Sequence, residues 1–459
     1  MLNFYSIRAC DACFTMGGCM FRRIMVANRG EVAHRVYQTA KKMGIEICYV
    51  FSEPDQELQF LQDAHDTRCI GGVRSYLDGA AQIAAAKEMK CSAIHPGWGF
   101  LSENPTFATQ VEAVGLRFVG PKPSSMRRMS DKAKARETMR AFGLPPIPGV
   151  DTPLHSLEDV RKAAETVGYP LLLKAVSGGG GRGMRKVFSQ AELESAFLEA
   201  SAEAQSAFGD ASLYMEKLIQ RGRHIEFQVL SDGENVLIVG ERECSIQRRH
   251  QKLLEETPSV VVRDQQRAEL SAQIVQAVQK LGYVGAGTME MLRDDDGSIY
   301  FMEMNTRLQV EHTITEETWG IDLVEQQLKI ACNQTLVWKG EQKGHSIQCR
   351  INAEDVAKGF QPVPGQITVW EWPSFDGIRV ETHLRQGDHV SPFYDSMLAK
   401  IIATAPTREE AITLMKKALR EAKIEGVPTT IDFHLSVLEH PKFIEGTYDT
   451  KFVEEELLK

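Results

Sequence analysis

Apolar runs and helix-like segments alternate along the chain from about residue 20 to residue 130. The strand-like runs are RRIMVAN (22–28), IEICYVFS (45–52), CSAIHPGWGF (91–100) and GLRFVGP (115–121). Between the first two runs, apolar residues recur with the period of a helix and stop at Gly44. Strands that alternate with helices predict a doubly wound parallel sheet in this part of the chain. No dinucleotide-binding glycine fingerprint follows the first strand, so a nicotinamide cofactor is not indicated there.

Proline and glycine punctuate the chain at FGLPPIPGV (142–150) and mark a change of organisation. We expect an N-terminal domain over residues 20–130, a small linker and lid domain over residues 131–218, and a larger α+β region over residues 219–459. The first nineteen residues have no periodicity and lack the long apolar core of a signal peptide. We therefore expect a disordered leader over residues 1–19.

A glycine-rich stretch, YPLLLKAVSGGGGRGMRKVFS (169–189), places four glycines between two strand-like arms. A Rossmann loop would lead into a helix, and a Walker loop would end in G-K-[ST]; neither occurs here. No H-R-D or D-F-G accompanies it, as a protein kinase would require. Two interpretations remain, a plain hairpin turn and a tip whose backbone N–H groups close over phosphates. Four glycines carry an ordering cost that a plain turn does not need, which favours phosphate binding.

A second hairpin is predicted in GTMEMLRDDDGSIYFMEMNTRLQVEH (287–312), with Asp296-Gly297 as a two-residue turn. That turn would place Glu290 directly opposite Glu303. Two carboxylates so close repel each other unless a cation lies between them, and Mg²⁺ prefers such oxygen ligands. If the chain stays extended, the same face continues through Asn305, Arg307, Gln309 and Glu311. The alternative is a solvated sheet face, on which alternating polar residues are ordinary.

The composition of the 459-residue chain sets limits on its class. Its length allows two or three domains, and its apolar content of 43% is that of a globular protein. A formal charge of −9 argues against a nucleic-acid binder, although RRHQK (248–252) is locally basic. No apolar run approaches the length of a membrane span. Nine scattered cysteines indicate reduced thiols and a cytoplasmic protein rather than a disulfide framework.

A mobile glycine hairpin, nearby lysines and a carboxylate hairpin together resemble the ATP-grasp architecture. The longer motifs resemble biotin carboxylase: ANRGEVAHRV, HPGWGFLSENPTFA, GGGGRGM, ERECSIQRRHQKLLEETPS, EMNTRLQVEH and CRINAED. The resemblance covers nearly everything from Met20 onward and implies a biotin carboxylase-type fold, α/β in the N-terminal domain and α+β beyond it. The chain departs from the family pattern at Ser177, Thr313 and His34, none of which removes a reactive group.

The resemblance implies an ATP site. It places Lys132 and Lys174 on the phosphates, Gly180 and Gly181 in the closing lid, and the segment Glu216, Lys217, Leu218 and Ile219 along the adenine. Further nucleotide contacts are implied for His224, Gln247, His250 and Val310. Taken singly, each lysine or histidine is better explained as a surface or core residue, and the binding role rests on the order of the motifs.

The resemblance also implies a metal and a catalytic set. Glu290, Glu303 and Asn305 would hold Mg²⁺ at two sites, with Mn²⁺ able to substitute. Arg307 and Lys252 would hold bicarbonate, and Glu311 would act as the general base; its alternative role is a structural partner of Arg307. Arg350 would stabilise the enolate form of biotin. Cys244 is interpreted as a buried neighbour of the site rather than a base.

The implied partners follow from the same family. We expect a homodimer, with Arg35 at a contact position, and a separate biotin carrier protein and carboxyltransferase, because no Met-Lys-Met motif is present. The acceptor expected for the complex is acetyl-CoA, in fatty acid synthesis. Pyruvate, propionyl-CoA or another 2-oxo acid stays open as an acceptor. A non-biotin ATP-grasp carboxylate ligase and a nucleotide-binding scaffold without turnover are the competing functions.

Overall fold

A computed structural model describes residues 21–177 and 183–458. The expected leader and the predicted lid glycines Gly180 and Gly181 lie outside these residues. No helix in the described ranges has both the length and the apolar character needed to cross a bilayer. The six cysteines in these ranges form no disulfide.

The first elements form a five-stranded parallel sheet with the order β3-β2-β1-β4-β5, as the alternating pattern predicts. The elements are β1 (Arg23–Val26), α1 (Gly30–Lys42), β2 (Glu46–Phe51), β3 (Asp66–Cys69), α2 (Gly79–Glu88), β4 (Ala93–His95), α3 (Pro105–Ala113) and β5 (Arg117–Phe118). Because β1 and β4 are parallel neighbours, their carboxyl ends meet at one edge of the sheet. The loops that follow them, 27–29 and 96–104, therefore lie side by side.

Two helices lead to a small antiparallel unit with its own apolar cluster. These elements are α4 (Pro123–Ser130), α5 (Lys132–Ala141), β6 (Gly149–Leu154), α6 (Leu157–Val167), β7 (Leu171–Ala175), β8 (Met184–Val187), α7 (Leu193–Phe208) and β9 (Leu213–Lys217). The four strands pair in the order β6-β9-β7-β8. The glycine-rich stretch connects β7 to β8, which are hydrogen-bonded neighbours, as predicted for a hairpin.

The remaining elements are built on an eight-stranded sheet with the order β14-β13-β10-β11-β12-β15-β22-β20. The elements up to its middle are β10 (Arg223–Ser231), β11 (Val236–Arg248), β12 (Gln251–Thr257), α8 (Asp264–Leu281), β13 (Gly285–Arg293), β14 (Ile299–Asn305), α9 (His312–Trp319), α10 (Leu323–Ala331) and β15 (His345–Asn352). The later ones are β16 (Glu354–Asp355), β17 (Gln361–Pro362), β18 (Gly365–Gln366), β19 (Val369–Glu371), β20 (Ile378–Glu381), β21 (His389–Val390), β22 (Met397–Ala405), α11 (Arg408–Glu421), β23 (Lys423–Glu425), α12 (Ile431–Glu439) and α13 (Pro441–Ile444). Charged side chains on the central strands of this sheet are buried, and they form the candidate site.

Candidate active site

The β13–β14 hairpin places two carboxylates opposite each other. Glu290 pairs directly with Glu303, which confirms the predicted register at this position. The predicted two-residue turn is wrong, because the loop runs over residues 294–298 and is closed by a 2.8 Å bond from Asp294 N to Ser298 O. The register then shifts at Met302, which has no residue directly opposite it. The longer turn and the bulge offset each other, so the two carboxylates still face each other.

The chain does not stay extended after the hairpin, contrary to the prediction. Strand β14 ends at Asn305, and residues 306–311 form a loop that leads into α9. The backbone N–H of Thr306 donates to Glu103 Oε1 at 2.8 Å rather than to a neighbouring strand. The loop folds back toward the hairpin. Gln309 therefore donates to Glu290, and Glu311 shares the ammonium of Lys252 with Glu290.

The ammonium of Lys252 on β12 lies at the centre of the site. Its Nζ is 2.5 Å from Glu226 Oε2, 2.6 Å from Glu311 Oε1 and 3.1 Å from Glu290 Oε1. Burial lowers the pKa of Lys252, but the three carboxylates outweigh burial and raise that pKa well above its ordinary value. Lys252 is therefore a fixed positive charge in a buried cluster of acids.

Glu290 Oε1 accepts hydrogen bonds from three side chains, one of which is Lys252. Asn305 Nδ2 and Gln309 Nε2 each donate to Glu290 Oε1 at 2.8 Å, and His224 Nε2 lies 3.1 Å from Glu290 Oε2. Burial raises the pKa of Glu290, but the charges of Lys252 and His224 and their hydrogen bonds lower it further than burial raises it. Glu290 is therefore an ionised carboxylate, as a metal ligand must be.

Glu311 is held between two cations. Its Oε1 contacts Lys252, and its Oε2 accepts from Arg350 Nη2 at 2.9 Å. Burial raises the pKa of Glu311, but Lys252 and Arg350 outweigh burial and hold that pKa well below its ordinary value. Arg350 is fixed in turn by Glu255, whose Oε1 accepts from Arg350 Nε at 2.7 Å. The predicted base and the predicted enolate-binding arginine are thus direct partners.

A fully buried arginine that sequence reasoning missed supports this cluster. Arg242 Nε donates to Glu226 Oε1 at 2.5 Å, and Arg242 Nη2 donates to Gln309 Oε1 at 2.8 Å. Its other donors reach Gln228, Thr315 and Thr288. Arg242 stands in the quoted stretch ERECSIQRRHQK, and a charged residue within an otherwise strand-like run was the available signal.

Arg307 lies at the edge of the cluster and contacts the N-terminal domain. Its Nε donates to Glu103 Oε2 at 2.8 Å, its Nη2 to Asn305 Oδ1 at 3.0 Å and its Nη1 to Leu308 O at 3.2 Å. Glu311 is not a direct hydrogen-bond partner of Arg307; its partners are Lys252 and Arg350. Asn305 bonds both Glu290 and Arg307, so it connects the predicted metal acid to the predicted bicarbonate residue.

The acidic side chains fall into two places. In one, the ammonium of Lys252 is the cation; in the other, the carboxylates could bind a divalent metal ion. Glu226, Glu290 and His224 lie close enough together to hold an ion, as do Glu226, Cys244 and Glu311. Lys252 already fills the space among the three glutamates with its ammonium. Glu303, directly opposite Glu290, is half-exposed, and its Oε2 is 3.5 Å from Lys132 Nζ. Here the carboxylate oxygens suit a cation, and the ammonium of Lys132 suits a phosphate.

The predicted nucleotide residues of the small unit form a separate group. Lys174 Nζ pairs with Glu216 Oε1, and Arg136 Nη1 lies 3.0 Å from Glu216 Oε2. The Glu216 side chain is buried, and its strand is paired on both sides. Lys217 N and Leu218 N are hydrogen-bonded to Pro148 O and Pro170 O, and Lys217 Nζ donates to Asp294 at 3.1 Å. Ile219 follows directly and is half-buried.

Gln247 and His250 lie on the β11–β12 hairpin, whereas Val310 lies in the loop 306–311. His250 is at the exposed tip, and burial together with the charges of Lys186 and Lys174 lowers its pKa. Gln247 is opposite Lys252 in the strand register. Val310 contributes its carbonyl oxygen, which accepts from the buried Lys400 at 2.8 Å.

Arg35 is placed differently from its prediction. It is buried, with Nη2 2.7 Å from Glu316 Oε1 and 3.0 Å from Asp322 Oδ1, so it joins α1 to α9 and α10 within the chain. The alternative of a solvated helix face is also wrong. Cys244 is fully buried, and burial raises the pKa of its thiol well above the ordinary value, which agrees with a neighbour rather than a base.

Two of the three departures from the family pattern form side-chain hydrogen bonds, and the third, His34, lies near an acid without a hydrogen bond to it. Ser177 Oγ donates to Asp210 Oδ2 at 3.1 Å. His34 Nδ1 is 3.5 Å from Asp63 Oδ2. The Thr313 hydroxyl donates to Gln348 Oε1, whose amide nitrogen donates to Glu255 at 2.9 Å, so Thr313 is linked through two side chains to the partner of Arg350.

Three family models match the chain in order. They are the biotin carboxylase N-terminal domain over residues 20–126, the carbamoyl-phosphate synthase L chain ATP-binding domain over 131–339 and the biotin carboxylase C-terminal domain over 348–455. Biotin carboxylase from Nostoc sp. is 46% identical over 442 residues, which cover 95% of this chain and 99% of the relative.

Two solved structures resemble the whole described chain. Biotin carboxylase from Campylobacter jejuni, solved as a β,γ-ATP complex, has a TM-score of 0.92 and 46% identity, with 95% of this chain and 99% of that chain covered. The biotin carboxylase domain dimer of the 2-oxoglutarate carboxylase from Hydrogenobacter thermophilus, solved with MgADP, ADP and bicarbonate, has a TM-score of 0.91 and 42% identity over 95% and 98% of the two chains.

Proposed function

Since the chain belongs to the biotin carboxylase family of ATP-dependent ligases, we propose that it carboxylates biotin with bicarbonate and MgATP. The observation that carries the proposal is the carboxylate of Glu311, which is ionised and held between Lys252 and Arg350. A base beside two fixed cations suits a reaction in which an anion must be bound and deprotonated.

The residues divide between binding and proton transfer. Arg307 offers a planar fork for the oxyanion of bicarbonate, and Lys252 adds a point charge. Glu311 takes the proton of bicarbonate, and the deprotonated oxygen attacks the γ-phosphorus as the bond to ADP breaks. The carboxyphosphate formed in this way breaks down to CO₂ and phosphate. That phosphate takes the ureido proton of biotin, and Arg350 stabilises the enolate oxygen while the ureido nitrogen bonds to CO₂.

We assign nucleotide and metal binding to the carboxylates of the β13–β14 hairpin and to the small antiparallel unit from β6 to β9. Lys132 and Lys174 would hold ATP phosphates, with Gly180 and Gly181 in the lid, and the backbone of residues 216–219 would face the adenine. His224, Gln247, His250 and Val310 would complete the nucleotide site. Glu290, Glu303 and Asn305 would hold Mg²⁺, or Mn²⁺ in its place. The metal, when bound, neutralises charge on the phosphoryl oxygens.

Phosphate release from MgATP tests the proposal directly. Wild type should release phosphate only with bicarbonate, and free biotin should accelerate the release. Arg350→Ala should abolish the biotin stimulation, whereas Arg420→Ala, at an exposed ion pair with Glu439, should match wild type. Turnover that ignores both bicarbonate and biotin would favour a different ATP-grasp ligase. ATP binding without any turnover would favour a scaffold.

We further propose that the chain works as a cytoplasmic homodimer with a separate biotin carrier protein and carboxyltransferase, and that the acceptor is acetyl-CoA. The dimer is supported by the H. thermophilus relative, which was solved as one. The separate carrier is supported by the Nostoc sp. relative, a biotin carboxylase 99% of whose length this chain covers. With those partners and labelled bicarbonate, acid-stable label should appear with acetyl-CoA. Label that appears only with pyruvate, propionyl-CoA or 2-oxoglutarate would reassign the acceptor.

A further inference from the structure

Two stretches of the N-terminal domain, residues 27–34 and 95–107, belong to the quoted motifs but supply none of the residues assigned above to a ligand or a proton. They lie side by side where β1 and β4 end. One residue of these stretches, Glu103, contacts the loop 306–311.

Loop 96–103 is fixed at both ends. Asn28 Nδ2 donates to Pro96 O at 2.8 Å and to Trp98 O at 2.7 Å. Gly97 has a φ of +63°, and a Cβ on it would lie 2.9 Å from Asn28 Nδ2, so only glycine fits against this clamp. At the other end, Asn104 caps α3 by accepting from two backbone N–H groups of its first turn.

The side chain of Glu103 extends from this fixed loop to the opposite domain. Its Oε1 accepts from Thr306 N at 2.8 Å and from Thr306 Oγ1 at 3.1 Å, and its Oε2 accepts from Arg307 Nε at 2.8 Å. One carboxylate therefore holds both the start of the loop and the guanidinium that follows. The other two partners of Arg307, Asn305 Oδ1 and Leu308 O, are neutral.

The geometry points to Glu103 as a positioning residue that orients the guanidinium of Arg307 for bicarbonate, an inference that rests on the proposed function. A bond through Nε leaves Nη1 and Nη2 each with a further N–H to offer an oxyanion, in an orientation set by Glu103. The hydrogen bonds from Asn28 and the helix cap of Asn104 keep Glu103 in place. This explains why residues of both stretches, 27–34 and 95–107, are needed at the site.

Steady-state kinetics distinguish a positioning role of Glu103 from a role in fold stability alone. Glu103→Gln keeps an acceptor for Thr306 but removes the charge that Arg307 faces. We expect kcat/KM for bicarbonate to fall about tenfold, as for the loss of a charge-assisted hydrogen bond. KM for MgATP should change less than about twofold, because no nucleotide residue assigned above contacts Glu103. Glu112→Gln, at an exposed position on α3, is the matched control and should match wild type.

A double-mutant cycle with Arg307→Lys tests whether the effect passes through Arg307. Lysine keeps the positive charge but lacks the Nε–H and the fork. In the Arg307→Lys background, Glu103→Gln should lower kcat/KM for bicarbonate less than about twofold, because the coupled bond is already absent. A full tenfold effect in both backgrounds would overturn the inference, as would an unchanged kcat/KM in Glu103→Gln.

A measurement without turnover keeps this inference distinct from the proposed function. Phenylglyoxal modifies accessible arginines, and peptide mapping by mass spectrometry gives the rate at each site. Glu103→Gln should raise the modification rate at Arg307 severalfold. It should leave unchanged the rate at Arg263, an exposed arginine directly before α8 that serves as the reference site. An equal rate at Arg307 in both proteins would overturn the positioning role. If wild type shows no bicarbonate-dependent turnover, the proposed function fails, while the modification rates still decide whether Glu103 positions Arg307.

Discussion

Replacement of Lys252 by methionine tests whether the site depends on one buried cation. The ammonium is within 3.1 Å of three carboxylates, Glu226, Glu290 and Glu311. At an effective dielectric constant of about 20, each such contact is worth about 5–7 kcal/mol of attraction before desolvation is subtracted. Removal of one partner from a buried ion pair costs about 3–5 kcal/mol, so we expect Lys252→Met to lower the free energy of unfolding by about that amount at pH 8.

The loss should depend on pH in a defined direction. In wild type, Glu290 and Glu311 have lowered pKa values, so the stability they add is complete above the ordinary glutamate pKa and is lost only on acidification below it. Without Lys252, the clustered carboxylates bind protons more readily in the folded than in the unfolded state, and stability then rises as the pH falls. One proton taken up this way recovers up to about 2.7 kcal/mol between pH 8 and pH 6.

Urea unfolding followed by tryptophan fluorescence at pH 6 and pH 8 measures both quantities. Lys358→Met is the control: this exposed lysine pairs with Asp355 at 2.9 Å, and its removal should cost less than about 0.5 kcal/mol at either pH. A Lys252→Met penalty that is equal at pH 6 and pH 8 would refute the reasoning. It would mean that the three acids do not use Lys252 as their counter-charge.

Three further changes have defined outcomes. Arg35→Met leaves the buried Glu316 with Arg379 as its remaining arginine and removes the guanidinium beside the half-buried Asp322, so the urea midpoint should fall by the equivalent of about 3 kcal/mol; an unchanged midpoint would contradict the ion pairs. Lys174→Gln should weaken MgATP binding about tenfold or more by calorimetry, and equal affinity would remove this lysine from the phosphates. Burial raises the pKa of Glu256, but His345 and Arg408 lower it further, so the stability difference between wild type and Glu256→Gln should stay constant above the ordinary glutamate pKa and narrow as the pH falls below it; a difference in thermal midpoint that stays constant under acid conditions would contradict this.

Local sequence patterns predict correctly the elements that neighbouring residues determine. The alternation of strands and helices predicts the parallel sheet, and the register of Glu290 against Glu303 is confirmed. The turn prediction failed because D-G marks a turn without setting its length, and the bulge at Met302 corrects the register from within the strand. The sequence carries no signal for that bulge, because the residue without a partner is visible only in the pairing of the two strands.

The course of residues 306–311 could not be predicted for a different reason. An alternating polar pattern is compatible with an extended strand, and the group that ends the strand is the carboxylate of Glu103, some two hundred positions earlier. The burial of Arg242 and Arg35 could not be predicted either, because their charges are paired with side chains from several distant elements. Burial of charge depends on tertiary partners, so such residues cannot be distinguished from surface residues by local pattern.

The pairing of Glu311 has a consequence for catalysis under the proposed function. A carboxylate whose pKa is held low by Lys252 and Arg350 is a weak base. Bicarbonate that binds to Lys252 competes with Glu311 for the ammonium, so substrate binding itself should raise the pKa of the base when a proton must be taken. NMR titration of protein labelled with ¹³C at glutamate side chains measures this, with the Glu311 signal assigned by Glu311→Gln. A Glu311 pKa that is unchanged by bicarbonate and MgADP would contradict the coupling and leave Glu311 as a structural partner of the two cations.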